Sequence, residues 1–318
     1  MKKRRFLHLP LIPRFYLGMS ISRFYLGMLI GFILIVAIAA CNRSPQNQIA
    51  IGSKNFTEQL ILAELLAQKI EANTNLKVDR RFNLGGTFVC HQAIAAGEID
   101  AYVEYTGTSF TAILKKPPIS NPKQVYQQVK QSYAQQFQLE LTEPLGFNNT
   151  FAMIVRGEDA RKYNLQTISQ AAKKTPEWKA GFGYEFLERQ DGFPGLAKTY
   201  GLRFAEPPRV MDLGLMYRAL KEKQVDLVAG NSTEGLIDRL DLAVLKDDKQ
   251  YFPPYDAVPI VRKQTLEKYP ELRKTLQQLG GTITEKDMRN LNYQVDGEGK
   301  DVKNVVQQFL KSKRLIKN

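Results

Sequence analysis

Residues 97–109, with the sequence GEIDAYVEYTGTS, place two phenols and a carboxylate at the end of an apolar run. Tyr102, Glu104 and Tyr105 stand within four positions, and Thr106-Gly107-Thr108 follow directly. A carboxylate can transfer protons, whereas the electron-rich face of a phenol ring attracts a cation by about 0.5–2 kcal/mol. These residue types therefore indicate either acid–base catalysis or the binding of a cationic group.

The motifs of common enzyme classes are absent from the sequence. There is no Gly-x-Ser-x-Gly nucleophile elbow, no Walker phosphate loop and no His-Glu-x-x-His, and Gly181-Phe-Gly183 lacks the third glycine of a dinucleotide fingerprint. The histidines are His8 and His91, and neither lies in a Cys/His/Asp spacing typical of a metal site. We therefore expect a protein that is not an enzyme and that uses no metal and no cofactor.

The positions of two tyrosines favour binding. Tyr105 ends a predicted strand, and Tyr255 lies in Phe-Pro-Pro-Tyr, where the chain is predicted to cross between lobes. Ligands of open α/β sheets bind outside the carboxyl ends of strands. Because side chains alternate along a strand, Val103 and Tyr105 share one face while Tyr102 and Glu104 share the other. We predict that Tyr105 is a ligand wall and that Tyr102 packs in the core.

Strands and helices alternate along the chain to position these residues. Strands are predicted at 48–52, 76–82, 99–105, 151–155, 179–184, 225–229, 242–245 and 257–261, and helices at 57–72, 85–95, 214–224, 270–279, 285–293 and 300–313. This order is typical of an α/β fold in which helices flank mostly parallel sheets. With 318 residues, the chain is long enough for a two-lobed clamshell. Residues 48–150 plus 257–318 would form the first lobe and 151–256 an inserted second lobe.

The first 40 residues are typical of an export signal. They carry six basic residues and no acidic one, and no charge interrupts the run from Phe24 to Ala40. The small residues before Cys41 resemble the bacterial lipobox, which implies cleavage before Cys41, its lipidation, and a membrane-anchored protein outside the cytoplasm. Residues 41–47 would form the lipidated tether, and an uncleaved helical anchor is the alternative. Since Cys90 is the other cysteine, a disulfide scaffold is not expected.

The net charge of +13 is less informative than its size indicates. Six of the 45 basic residues lie in the predicted signal, which leaves 39 against 32 acidic residues. The remaining basic residues are scattered, and no nucleic-acid-binding motif is present. We expect a mildly basic surface and no nucleic-acid partner.

Five blocks of the sequence resemble, in order and spacing, the extracytoplasmic substrate-binding subunits of glycine betaine/carnitine/choline ABC importers. The blocks are 53–59 (SKNFTEQ), 84–87 (LGGT), 104–108 (EYTGT), 144–150 (PLGFNNT) and 253–255 (PPY). The resemblance covers about residues 48–315. It implies a type II periplasmic-binding-protein fold, a quaternary-ammonium ligand in an aromatic cage, and docking to an ABC permease that works with a cytoplasmic ATPase. We expect a monomer.

The resemblance also implies which aromatic residues form the cage. Tyr105 and Tyr255 match cage tyrosines of the family. Phe151 stands where the family often has tyrosine, so the ring face is kept and the hydroxyl is lost. Phe88 falls at a variable position that tunes the choice of ligand. Asn231 begins Asn-Ser-Thr-Glu-Gly where relatives usually have Tyr-Ser-Thr-Asp-Gly, so one wall of the cage would be missing.

Two polar residues complete the predicted site. Asn149, at the crossover, would form a hydrogen bond to the ligand. Arg189 falls near an arginine that holds the carboxylate in betaine-binding relatives, a role that suits the paired donors of a guanidinium.

Two other functions are compatible with the same fold. A zwitterion with a primary ammonium, such as an amino acid, would need a carboxylate partner for its N–H donors, and Glu104 or Glu234 would have to face the cleft. Alternatively, the clamshell would sense a ligand and report to a membrane partner as a signalling protein.

Overall fold

The computed structural model describes residues 47–317 of the 318-residue chain. The predicted signal peptide, Cys41 and all but the last residue of the tether lie outside this range, so these assignments stay predictions. Among the described helices, none combines the length and the apolar character needed to cross a bilayer.

The first sheet contains five strands in the order β2-β1-β3-β10-β4. These are β1 (Gln48–Lys54), β2 (Lys77–Gly85), β3 (Ala101–Tyr105), β4 (Leu139–Leu141) and β10 (Ala257–Arg262). Strand β1 runs parallel to β2 and β3, whereas β10 is antiparallel to both β3 and β4.

The second sheet has five strands in the order β7-β6-β8-β5-β9. These are β5 (Phe151–Arg156), β6 (Ala180–Phe182), β7 (Arg209–Val210), β8 (Leu227–Asn231) and β9 (Leu242–Leu245). Strand β6 runs parallel to β7 and β8, and β5 is antiparallel to β8 and β9. Both sheets are thus mixed rather than mostly parallel, because β5 and β10, which follow the passages between the sheets, enter antiparallel to their neighbours.

Helices flank both sheets. They are α1 (Thr57–Asn73), α2 (Thr87–Ala96), α3 (Thr106–Thr108), α4 (Pro122–Gln136), α5 (Gly157–Tyr163), α6 (Ile168–Ala171), α7 (Tyr184–Glu188), α8 (Phe193–Tyr200), α9 (Leu213–Lys221), α10 (Leu236–Arg239), α11 (Lys263–Lys268), α12 (Glu271–Gln277), α13 (Glu285–Asn292) and α14 (Val302–Ser312). Short π-helical turns at Ser109–Ile113 and Tyr293–Gly297 and a 3₁₀ turn at Thr175–Glu177 complete the helical structure.

Strand β3 separates two parts of the first lobe's core. Val103 and Tyr105 pack in the cluster that contains α1, while Tyr102 packs in the cluster that contains α2 and α4. Tyr102 is fully buried. The predicted alternation along β3 is therefore confirmed, and so is the packing role of Tyr102.

The two segments that connect the sheets run side by side. Asn148 and Asp256 form an isolated antiparallel bridge. The backbone N–H of Asn149 donates to the carbonyl oxygen of Tyr255 at 3.0 Å, and the N–H of Tyr255 donates to Oδ1 of Asn148 at 2.6 Å. This paired connection joins the first lobe, built around the first sheet, to the second lobe. The predicted residue boundaries of the lobes stay a prediction.

Candidate functional site

A cavity of about 510 Å³ lies between the lobes. Its wall includes residues at the carboxyl ends of β1, β3 and β8, which is where open α/β sheets bind ligands. The structure brings all seven predicted site residues to this cavity: Phe88, Tyr105, Asn149, Phe151, Arg189, Asn231 and Tyr255. Their role as ligand contacts stays a prediction. Within residues 47–317, no group of three or more His, Cys, Asp or Glu side chains is arranged to hold a metal ion.

The hydroxyl of Tyr105 is bound inside the protein and not in the cavity. Tyr105 is 5% exposed, and its hydroxyl donates to Oε1 of Glu58 at 2.6 Å. The Nζ of Lys54 lies 5.3 Å from the centroid of the Tyr105 ring. The ring, and not the hydroxyl, is therefore the part of Tyr105 that remains for a ligand.

Glu58 links both lobes through four hydrogen bonds to one carboxylate. Its Oε1 accepts from Tyr105 and from Nδ2 of Asn149, the latter at 2.7 Å. Its Oε2 accepts from Oγ1 of Thr233 at 2.5 Å and from Nδ2 of Asn292 at 3.1 Å. Burial raises the pKa of Glu58, although each of these donors acts in the opposite direction. In the sequence, Glu58 is marked only by its place in the 53–59 motif.

Arg189 is paired inside the protein. Its Nε and Nη2 donate to the two carboxylate oxygens of Asp191, at 2.9 and 2.5 Å. Asp191 also accepts from the hydroxyl of Tyr255 at 2.6 Å. Burial opposes ionisation of Asp191, but the charge and hydrogen bonds of Arg189 outweigh it, and the pKa of Asp191 is lowered. The predicted carboxylate binder therefore already holds a carboxylate of the chain itself.

A second buried ion pair lies beneath the cavity. Lys54 donates from Nζ to Oε1 of Glu104 at 2.5 Å and to Oγ1 of Thr87 at 2.9 Å. Burial raises the pKa of Glu104, and the charge and hydrogen bond of Lys54 partly offset this effect. Lys54 was not among the predicted site residues, although it stands in the 53–59 motif.

The two carboxylates that were named for the amino-acid alternative do not line the cavity. Within the described residues, neither Glu104 nor Glu234 is part of its wall. Glu234 instead accepts a hydrogen bond from Nδ2 of Asn231 at 3.3 Å. Burial and the charge of Asp296 raise the pKa of Glu234 to about 8. The requirement stated for the amino-acid alternative is therefore not met by either residue.

Aromatic side chains form a continuous part of the wall. The centroid of the Phe151 ring lies 5.7 Å from the ring centroid of Tyr255 and 4.8 Å from that of Phe186, in edge-to-face arrangements. Phe88 is 39% exposed, whereas the other six predicted site residues are buried or half-buried. Tyr184 and Phe186 also line the cavity and were not predicted.

Glu185 spans the cavity from the second lobe to the first. From α7 its Oε1 accepts the backbone N–H of Thr87, at the start of α2, at 2.5 Å. Its Oε2 lies 3.9 Å from Nη1 of Arg189. No sequence motif pointed to this residue, because the contact joins positions 98 residues apart.

Two α/β lobes that are joined by paired connections, with a cavity between them at strand ends, define a two-lobed solute-binding protein. The model of one family, the substrate binding domain of ABC-type glycine betaine transport systems, matches residues 47–312. The chain belongs to this family of transporter binding proteins. The resemblance and the two-lobed α/β fold predicted from the sequence are thereby confirmed.

Individual relatives agree with this assignment. The chain is 38% identical to the carnitine transport binding protein OpuCC of Listeria monocytogenes, over 88% of this chain and 91% of that protein. It is 35% identical to the ergothioneine transport permease/ergothioneine binding protein EgtU of Helicobacter pylori, over 88% of this chain and 51% of that protein. A solved glycine betaine/carnitine/choline ABC transporter structure has a TM-score of 0.71 and 36% identity, covering 84% of this chain and 99% of that one.

Proposed function

We propose that the protein is the lipid-anchored solute-binding subunit of an ABC importer. It captures a small quaternary-ammonium solute, of the glycine betaine, choline or carnitine type, between its lobes and delivers it to the permease. The observation that carries this proposal is the combination of aromatic walls with an excess of carboxylates around one cavity.

The charges of the cavity favour a cation. Lys54 and Arg189 line it, but each is paired with a buried carboxylate at 2.5 Å. Glu185 and Asp212 line it as well, so negative charge exceeds positive charge around the cavity. A quaternary ammonium has no N–H to donate and is held by ring faces and by nearby anions. Such an ion suits a wall that offers rings and carboxylates.

The size of the cavity and the solutes named for its relatives both favour a small betaine-like ligand. A volume of about 510 Å³ is in the range of small-molecule sites. The relatives named above are described as binding proteins for carnitine and for ergothioneine, and both of these solutes contain a trimethylammonium group. We infer that this group lies against Tyr105, Phe151 and Tyr255, with Phe88 at the open side and Asn149 as a hydrogen-bond partner.

The N-terminal sequence supports the cellular part of the proposal. Cys41 follows small residues in a pattern that resembles the lipobox, and residues 42–47 are polar. The lipidated Cys41 would hold the protein outside the cytoplasm as a monomer next to its permease. Mass spectrometry of the wild type is expected to show a mature chain that begins at an acylated Cys41. A wild-type protein that keeps residues 1–40, or whose Cys41 carries no acyl chain, would contradict lipid anchoring.

Calorimetric titration of the purified protein tests the ligand class. Choline, carnitine, glycine betaine and proline are titrated, and glycine serves as the matched control because it lacks only the methyl groups of glycine betaine. At least one quaternary amine is expected to bind while glycine does not. If no quaternary amine binds to folded protein, the proposal fails. Tight binding of glycine would favour the amino-acid alternative.

A further inference from the structure

The groups that suit a ligand carboxylate lie together at one end of the cavity. Lys54 donates to the side chain of Thr87 at 2.9 Å, and the backbone N–H of Thr87 opens helix α2. Arg189 lies on the other side, with its Nη1 facing Glu185 at 3.9 Å. A zwitterionic ligand would bring its carboxylate to this end, because cations and a helix N-terminus attract anions.

Glu185 already occupies this end with a carboxylate of the chain. Its Oε1 accepts the N–H of Thr87 at 2.5 Å. Helix α2 has no acidic residue in its first turn, and the residue before it, Gly86, has no side chain to cap it. Glu185 therefore supplies the anion that the start of α2 lacks in its own segment.

Gly86 lies directly beside the same carboxylate. A Cβ at this position would overlap with Oε1 of Glu185. The backbone of Gly86 has φ of −84°, which other residues adopt without strain. Glycine at position 86 thus leaves space for the Glu185 carboxylate beside the start of α2.

We propose that Glu185 is a specificity-determining residue that favours a cation without a carboxylate, of the choline type, over a betaine. Its carboxylate competes with a ligand carboxylate for Thr87 and Arg189, and it attracts the quaternary ammonium of either ligand. The inference rests on the proposed function, since it concerns which quaternary amine the same cavity prefers.

The test compares the dissociation constants of choline and glycine betaine in the wild type and in Glu185→Gln. The amide oxygen of glutamine can still accept the N–H of Thr87, so the contact between the lobes is kept while the charge is removed. We expect the ratio of the two constants to shift by about tenfold towards glycine betaine. A unit charge about 4 Å from the carboxylate of a ligand has an effect of at least that order in a partly dry site. The exposed Glu188, on the same helix, provides the matched control Glu188→Gln, which removes the same charge away from the cavity.

A ratio that shifts towards glycine betaine in Glu185→Gln and not in Glu188→Gln supports the proposal, whereas a shift towards choline would overturn it. A ratio that stays constant while both affinities fall would overturn it, because Glu185 would then act only as a contact that closes the lobes. An equal shift in both variants would also overturn it, since the total charge would then be responsible. If the wild type binds neither ligand, this inference fails, and the proposed function fails with it only if carnitine is not bound either.

Discussion

Replacing Glu58 tests whether one buried carboxylate holds the two lobes and a cavity wall in position. In Glu58→Ala, the donors on Tyr105, Asn149 and Thr233 lose their acceptor, whereas Asn292 keeps a second bond, to the carbonyl oxygen of Thr233 at 2.9 Å. Glu58 is 3% exposed, so water reaches these groups only if the structure rearranges.

The expected cost follows from the number of donors that are left without a partner. A buried donor without an acceptor costs about 1–3 kcal/mol, so three of them cost about 3–6 kcal/mol once some water enters. Glu58→Gln is much milder. Its amide oxygen serves Tyr105 and Asn149, and its amide N–H can donate to the hydroxyl of Thr233, which is able to accept. We expect a loss of about 1 kcal/mol or less for this variant.

Guanidinium unfolding followed by circular dichroism and by the fluorescence of Trp178, the single tryptophan, measures both free energies of unfolding. Ligand titration follows, because Glu58 holds both the ring of Tyr105 and the Thr233 loop of the second lobe. Glu58→Ala is expected to lose at least about tenfold in affinity, whereas Glu58→Gln stays close to the wild type. Equal costs for the two variants, or a Glu58→Ala protein as stable as the wild type, would refute the reasoning.

Three further outcomes follow from the site. Tyr105→Ala should weaken binding of a quaternary amine far more than Tyr105→Phe in calorimetric titration, because the ring face attracts the cation; equal losses would indicate that the hydroxyl is essential. Asn231→Tyr should strengthen binding by about 0.5–2 kcal/mol if a cage wall is missing there, and an unchanged affinity would show that it is not. The raised pKa of Glu234 means that the folded protein holds this proton more tightly than the unfolded chain does. The resulting contribution to the free energy of unfolding is complete below the ordinary pKa of 4.5 and is lost as the pH rises through about 8. Urea unfolding between pH 5 and pH 9 should therefore show a flatter stability profile for Glu234→Gln, and an identical profile would contradict the assigned pKa.

Elements with a clear apolar period could be predicted closely. Helix α1 was expected at 57–72 and spans Thr57–Asn73, and β9 spans Leu242–Leu245 as expected. Helix α4, Pro122–Gln136, was missed, although its buried residues Val125, Tyr126, Val129 and Tyr133 have helical spacing. Asn121 caps it by accepting the N–H of Gln124, and Pro122 occupies the first turn. Its many glutamines obscured a signal that the sequence does contain.

The polar contacts of the site could not be predicted in the same way. The aromatic residues stood in motifs that the family shares, so the resemblance pointed to them directly. The ion pair of Lys54 with Glu104 joins residues 50 apart, and the bond from Thr233 to Glu58 joins residues 175 apart. Local periodicity carries no information about such pairs, because it reports which face of an element is apolar and not which elements meet.

These contacts change how the cavity would recognise its cation. Lys54 lies 5.3 Å from the ring centroid of Tyr105, and the guanidinium carbon of Arg189 lies 5.1 Å from that of Phe151. A ring that already faces a cation attracts a second one less, because the two cations repel each other. Rings alone therefore do not account for binding of a quaternary ammonium here. Since Lys54 and Arg189 are each neutralised by a buried carboxylate, the additional charges of Glu185 and Asp212 decide the sign of the field in the cavity, and they make it favourable for a cation.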